Sequence, residues 1–242
     1  MKNQNYGLYT SISLVIANMV GTGVFTSLGF QVLGIKSGFA IIMLWVLGGI
    51  ISLLGALSYS ELGVIYPQSG GEYTYLGKIY HPSVGFLAGW ISFLVGFAAP
   101  VAAASIAFGK YLNSSIHLEK HLPNFINPEI LLAVFVIVVL TTIHGLDKFF
   151  GAAVQNVFTT FKIIFLMILI ILGLFFSNST EISFAIDNNA LSDIMSPSFA
   201  ISMFFVMYSY SGWNASAYIA GEIKNPSKNI PLSLILGTFF VT

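Results

Sequence analysis

The sequence predicts an all-α membrane protein that crosses the bilayer several times. Of its 242 residues, 56% are hydrophobic and only 7% are charged, whereas a soluble domain carries about 25% charged residues. The mean hydropathy is +0.88, and several uncharged apolar runs reach the roughly 20 residues that a helix needs to cross a bilayer. The charged side chains are too few to cover a water-facing surface, so the composition indicates an integral membrane protein.

The composition also excludes several other classes of protein. The formal net charge is zero, and all nine basic residues are lysines, so no nucleic-acid-binding surface is indicated. The absence of cysteine excludes disulfide scaffolds, thiol catalysis and cysteine-bound metals. None of the four histidines pairs with another on one face of a predicted span. We therefore expect no enzyme, no cofactor and no metal site.

Six apolar runs predict six transmembrane helices. The fourth run is the shortest, and a thinned bilayer would accommodate it. A seventh run begins at Ile230 and is still apolar at Thr242. About a dozen residues make only some 18 Å of helix, so we expect the chain to end inside a seventh helix. The six runs are Leu8–Phe30, Gly38–Leu57, Val84–Gly109, Ile130–Ile143, Phe149–Phe176 and Phe199–Gly221.

The lysines between these runs predict the orientation. Lysine is enriched in cytoplasmic loops, and an inside N-terminus places five lysines in cytoplasmic segments and three outside. We therefore expect a cytoplasmic N-terminus, a polar outer loop at Ser177–Ser196 and an inner loop at Glu222–Pro231. The inner lysines are Lys2, Lys78, Lys148, Lys224 and Lys228, and the outer ones are Lys36, Lys110 and Lys120.

Two of the six predicted helices are polar and rich in glycine at their middle. The first contains ANMVGTGVFTSLG from Ala17, and the sixth contains MYSYSGWNASAYIAG from Met207. Glycine permits non-helical backbone, and a membrane tolerates such backbone only where it is buried in protein or lines a cavity. Two broken helices therefore predict a binding site near mid-membrane. Alternatively the glycines only allow close helix packing, although Gly21 and Gly23 lack the four-residue spacing of a small-residue face.

The two helix breaks predict a site for a ligand with opposite charges. A half-helix that begins near Gly23 would offer the N–H groups of Thr22, Gly23 and Val24 to an anion. A half-helix that ends near Tyr208 would offer carbonyl groups to a cation. Donors and acceptors side by side match the carboxylate and ammonium groups of an amino acid.

Lys162 is the one charged residue inside the predicted spans. It lies about 20 Å along the helix from either end of the fifth run, too far for its side chain to reach the interface. Because charges inside a membrane are costly, they usually serve a function. The alternative is a structural lysine bonded to backbone carbonyls.

Three ordered motifs resemble the amino acid–polyamine–organocation permeases, and most closely the L-type amino-acid exchangers and their bacterial relatives. These motifs are GTGVFTSLG in the first helix, Ala56–Leu76 and Ser211–Pro231. The resemblance implies a LeuT-type inverted-repeat fold in one transmembrane domain over residues 1–242. Its first repeat would cover residues 8–176, approximately, and residues 197–242 would form the start of its second repeat.

The resemblance also implies a function. We expect a secondary active transporter that moves amino acids, with neutral ones favoured, across the plasma membrane by alternating access. Two alternatives stay open, namely a permease for polyamines or other amines, and a non-transporting membrane sensor or scaffold. The partners expected are the amino acid and the lipid bilayer. Because the chain has no cysteine, a disulfide-linked heavy chain is not expected.

The same resemblance assigns the site residues. Tyr208 falls where the exchangers place an aromatic gate, and Ser211 replaces a glycine or aspartate often found before the GW pair. Lys162 resembles a lysine that stands where sodium-coupled relatives hold an ion, so it would either exchange a proton or act as a fixed cation. The predicted substrate-binding residues are Val20, Gly21, Thr22, Gly23, Val24, Tyr208, Ser209, Tyr210, Ser211, Gly212, Trp213 and Asn214.

Overall fold

A computed structural model describes residues 6–120, 122–123, 125–146, 148–176 and 184–242, which contain helices and no strand. A π-helical segment at Ser92–Ala98 joins α5 to α6, and 3₁₀ turns cover Leu118–Lys120 and Ala220–Glu222. The α-helices are α1 Leu8–Met19, α2 Thr22–Gln31, α3 Gly38–Ile65, α4 Glu72–Ile79, α5 Pro82–Ile91, α6 Ala99–Ile116, α7 Pro128–Leu146, α8 Lys148–Phe176, α9 Asn188–Ile194, α10 Pro197–Tyr210, α11 Ala215–Tyr218 and α12 Pro226–Val241.

Within the residues that the structure describes, five helical stretches are long and apolar enough to cross a membrane, which confirms the all-α polytopic class. The fourth predicted span is longer than its apolar run, because the helix begins at Pro128. A sixth candidate is the pair α9 and α10, which is bent by 65°. The five stretches are Leu8–Gln31, Gly38–Ile65, Pro82–Ile116, Pro128–Gly145 and Ala153–Phe176.

The first and sixth predicted spans are both interrupted. The first consists of α1 and α2, with extended backbone at Gly21 between them. The predicted span Phe199–Gly221 contains α10, a turn that includes Gly212, the short helix α11 and most of a 3₁₀ turn. The breaks therefore occur in the two helices where the glycine-rich polar segments predicted them.

Two predicted loops contain helix. The predicted inner loop Glu222–Pro231 is helical from Pro226 onward, because a proline at the first helical position has no amide to satisfy and is already set to a helical φ. The predicted outer loop Ser177–Ser196 contains α9, whose start is capped by the Asp187 carboxylate accepting from Ala190 N at 2.8 Å. Residues 177–183 of that loop lie outside the described residues.

The described residues within Met1–Phe86 and Phe175–Thr242 form one compact unit. Its core includes Val15, Leu44, Val206 and Leu234, all of which are completely buried. These residues lie on α1, α3, α10 and α12, so both broken spans and the second span share one apolar core.

Two sets of hydrogen bonds define the ends of this unit. At one end, Tyr6 N donates to Glu222 O at 3.1 Å and Lys224 N donates to Tyr6 O at 2.9 Å. We call this the Tyr6 end. At the other, the Asp193 end, one oxygen of the Asp193 carboxylate accepts from Lys36 N at 3.0 Å and Ser37 N at 2.8 Å. Tyr6 and the segment after α11 therefore lie at the same end.

The second compact unit, Leu87–Leu174, contains α6, α7 and most of α8. The helices α6 and α7 approach closely at Gly109, where a Cβ atom would overlap the Glu129 carbonyl oxygen. Lys162 lies on α8 in this unit, and its side chain is half-buried. The single domain predicted for residues 1–242 stays a prediction beside these two units.

Candidate functional site

The two broken spans touch where α2 packs on α10. A Cβ atom at Gly23 would lie 2.7 Å from Ser209 Cα, which is too close for any side chain. Ser27 Oγ donates to Phe205 O at 3.1 Å, and the Ser27 and Ser209 hydroxyls are hydrogen-bonded to each other. Gly23 is therefore required because the two backbones approach closely.

A second contact joins the helix-six break to the end of α1. Gly212 has a φ of +102°, in the left-handed region that favours glycine. A Cβ atom there would lie 2.8 Å from the Asn18 carbonyl carbon. Asn18 is held in turn by its side-chain amide, which donates to Leu14 O at 2.8 Å. The break in the first span thus packs against the sixth span, and the break in the sixth span packs against the first.

A cavity of about 270 Å³ lies next to both interruptions. None of its eight lining residues is charged. Trp45 and Tyr210 form aromatic walls with ring centroids 5.7 Å apart in an edge-to-face arrangement. The Trp45 indole N–H donates to Gln31 Oε1 at 3.0 Å, which fixes the ring. The lining residues are Met19, Val20, Val24, Trp45, Ser209, Tyr210, Val241 and Thr242.

Polar backbone groups lie at the two interruptions next to the cavity, in addition to the Ser209, Tyr210 and Thr242 side chains that line it. The amides of Thr22, Gly23 and Val24 begin α2 and so have no intrahelical acceptor, and no side chain caps them, so they form a positive helix end. At the end of α10, the Tyr208 carbonyl accepts from the Ser211 amide at 3.1 Å and from the Ser211 hydroxyl at 2.7 Å. Such an arrangement suits a small ligand with a carboxylate and an uncharged side chain.

Only some of the predicted site residues line the cavity. Four of them, Val20, Val24, Ser209 and Tyr210, line the cavity. Tyr208 does not line it, and its side chain is 47% exposed. Its role as an aromatic gate stays a prediction, and Tyr210 and Trp45 supply the rings at the cavity.

The remaining predicted residues support the two breaks. Gly21 has a φ of −102° and a ψ of −163°, a conformation open to any residue, and a Cβ atom there would make only an ordinary contact at 3.7 Å. The backbone at position 21 therefore does not require glycine, whereas Gly23 and Gly212 are needed, and the predicted role of Gly21 in substrate binding stays a prediction. Trp213 and Asn214 contact Tyr59 and Glu72, away from the cavity lining.

Sequence reasoning missed Met19 and Trp45 in the cavity wall and Glu72 at the contact with Asn214. A tryptophan inside an uncharged span was the available signal for Trp45. Glu72 follows Gly70 and Gly71, whose positive φ angles mark a tight turn. The two glycines before Glu72 were visible in the sequence, but the sequence did not indicate which residue the Glu72 carboxylate would bind.

Two interrupted helices around an uncharged cavity are typical of membrane transporters. The amino acid permease family matches residues 6–242, and the chain belongs to that family. This confirms the resemblance that the three motifs predicted.

Curated relatives agree with this assignment. The chain is 31% identical over 238 residues to the b(0,+)-type amino acid transporter 1 of Mus musculus and 30% identical over 239 residues to that of Homo sapiens. It is 30% identical over 242 residues to the large neutral amino acids transporter small subunit 2 of Mus musculus. These alignments cover 98% of this chain and 48%, 48% and 45% of the relatives, respectively. The chain therefore spans about half the length of the curated relatives it matches.

The contact between α2 and α10 predicts that Gly23→Ala destabilises the full-length gene product. The added methyl group must push the Ser209 backbone away, and such overpacking costs about 1–3 kcal/mol. Thermal unfolding of the purified protein in detergent measures the effect. Gly29→Ala is the matched control on the same helix, because a Cβ atom there meets nothing within 4 Å. Equal melting temperatures for the two variants would contradict the close contact.

Proposed function

We propose that this protein is a secondary active transporter that moves neutral amino acids across the plasma membrane by alternating access. The observation that carries the proposal is the uncharged cavity beside the two helix breaks. An amino acid always presents a carboxylate, which the capless start of α2 attracts. The variable side chain would occupy the space between Trp45 and Tyr210.

The absence of charge from the cavity lining supports a neutral side chain. A cationic side chain would require a fixed acid and an anionic one a fixed base, because a buried unpaired charge is costly. None of the eight lining residues supplies either. The relatives' names agree, since they specify amino acid transporters, and one specifies large neutral amino acids.

Two other functions compete with this proposal. A polyamine permease would bind an amine without a carboxylate, so it would not need the uncapped amides of α2. A sensor or scaffold would bind an amino acid and move none. We favour transport without catalysis, because the relatives are named as transporters and not as enzymes.

We propose partners and coupling in the same terms. The partners are the amino acid and the lipid bilayer. One relative is named as a small subunit, but no disulfide to a larger subunit can form through these 242 residues, which contain no cysteine. Lys162 would couple transport either by exchanging a proton or as a fixed cation in place of sodium.

The substrate class can be tested by binding followed by flux. L-leucine and L-serine should raise the melting temperature of the full-length gene product, because a ligand of the native state stabilises it by about 2.7 kcal/mol at a hundred times its Kd. Putrescine should not. Counterflow in proteoliposomes should then show exchange of the amino acids that bind. Stabilisation by putrescine alone would favour the amine permease, and binding without counterflow would favour the sensor.

The assignment of Lys162 predicts transport that does not depend on sodium. Lys162→Met keeps the length of the side chain and removes its charge, so it should reduce exchange at least about tenfold, as loss of a functional intramembrane charge would. Lys110→Met is the control, since Lys110 is exposed near the end of α6. Sodium-driven uptake in vesicles, or full activity of Lys162→Met, would contradict this role. A proton gradient that drives uptake would select the proton-exchanging version.

The proposed orientation places the Tyr6 end in the cytoplasm. Ser227 is exposed in the first turn of α12, and the cysteine-free chain gives a clean background for a single reporter. An impermeant thiol reagent should label Ser227→Cys only after the cells are permeabilised, whereas Ser115→Cys in the last turn of α6 should react in intact cells. Labelling of Ser227→Cys in intact cells would reverse the orientation.

A further inference from the structure

The Glu72 carboxylate joins three segments at the Tyr6 end. It is the first residue of α4, and its Oε1 atom accepts a hydrogen bond from the Tyr59 hydroxyl on α3 at 3.1 Å. The same oxygen accepts from the side-chain amide of Asn214, which lies at the break of the sixth span. One carboxylate oxygen therefore connects α4, α3 and the residue just before α11.

The loop that carries Glu72 lies directly against α11. Gly70 N donates to Tyr218 O at 3.2 Å, and Gly221 N donates to Ser69 Oγ at 3.0 Å. Gly71 has a φ of +51°, and a Cβ atom there would lie 2.8 Å from the Tyr218 ring. The tight turn thus brings the carboxylate against the half-helix, where a bulkier loop could not lie.

Aromatic side chains surround this contact. The Trp213 ring packs edge-on against Tyr59, with centroids 4.9 Å apart. Tyr75 lies on α4 one turn after Glu72, its side chain is 2% exposed, and its ring also packs edge-on against Tyr59. Burial and the nearby Glu72 carboxylate raise the pKa of Tyr75 to about 12, so its hydroxyl keeps its proton at neutral pH. Neutral aromatic side chains therefore surround the carboxylate, and the Tyr59 hydroxyl is the one among them that donates a described hydrogen bond to it.

The side-chain amide of Asn214 is accordingly hydrogen-bonded within the protein and is not directed at a ligand. Its amide is engaged by Glu72 and by the Tyr218 hydroxyl at 3.3 Å, and neither Asn214 nor Trp213 lines the cavity. Hydrogen bonds to a charged acceptor are about twice as strong as those between neutral groups. Among the described contacts, Glu72 is the only carboxylate that bonds to the helix-six break.

We propose that Glu72 is a positioning residue that holds α11 against α3 and α4 and so keeps the Tyr6 end of the broken sixth span closed. Removing the carboxylate leaves the Asn214 amide and the Tyr59 hydroxyl without their shared acceptor. The half-helix should then separate from α3 and α4 more often. Its role is to set how often this end opens, and it acts through its hydrogen bond to Asn214.

Paired cysteine reporters test this directly. Ser216 on α11 and Ser202 on α10 are both buried serines, at 0% and 4% exposure, on opposite sides of the break. In membranes of cells that express the full-length gene product, N-ethylmaleimide should label Ser216→Cys about tenfold faster when Glu72→Ala is added, because a buried site reacts only when its segment opens. The labelling rate of Ser202→Cys should not change.

Further variants separate positioning from general support of the fold. Glu72→Gln keeps an acceptor oxygen and a similar volume, so its labelling rate at Ser216→Cys should lie between those of wild type and Glu72→Ala. Glu61→Ala, an exposed glutamate on α3, should leave the rate unchanged. An unchanged rate at Ser216→Cys in Glu72→Ala would overturn the proposal, as would equal acceleration at Ser202→Cys.

A second readout rests on the proposed function. The concentration of L-leucine that gives half-maximal thermal stabilisation should be unchanged within about twofold in Glu72→Ala and in Asn214→Ala, while the maximal exchange rate falls, because neither residue lines the cavity. A large loss of affinity in Asn214→Ala alone would assign Asn214 to the substrate and overturn its role here. Labelling needs no substrate, so failure of the proposed function would leave that result standing.

Discussion

The close approach of two backbones at Gly23 and Ser209 is the constraint on which the rest of the structure depends. A Cβ atom at Gly23 would lie 2.7 Å from Ser209 Cα, so the start of α2 and the last turn of α10 come together only because one of them lacks a side chain. This contact brings both interrupted spans beside one cavity, with Val24 on one wall and Ser209 on another. Gly212 makes a similar close approach to the backbone of Asn18. The site therefore exists because of backbone packing, and its side chains complete it.

Much of this architecture could be predicted from the sequence, because its strongest signals are local. Apolar runs marked the spans, and glycine among polar residues marked the two breaks. The sequence could not distinguish Gly21, which adopts an ordinary extended conformation, from Gly23, which is in tertiary contact. Pro226 was taken for a loop residue, although it starts α12. Trp45 and Glu72 were missed because their roles depend on residues that are distant in the chain.

Several buried polar contacts in the first compact unit join uncharged side chains and are not ion pairs. The serine hydroxyls of Ser27 and Ser209 satisfy one another and the Phe205 carbonyl, and Gln31 serves the Trp45 indole. Each such pair stabilises a defined helix register at lower desolvation cost than an ion pair. Carboxylates act as acceptors near the two ends of the unit, with Glu72 near the Tyr6 end and Asp193 at the other. None of the eight residues that line the cavity carries a charged side chain.

The short parallel pairing of Tyr6 with Ile223 links the beginning of the first broken span to the end of the sixth. Both of its hydrogen bonds run between main-chain atoms, so the linkage is insensitive to which side chains stand there. Because the pairing ties the residues just before α1 to those just after α11, we expect a displacement of one half-helix to be passed to the other. A bulky fluorescent protein fused immediately before Tyr6 would therefore disturb the main-chain pairing between Tyr6 and Ile223. The same protein fused through a long flexible spacer would leave the pairing intact, and the two half-helices could still move together.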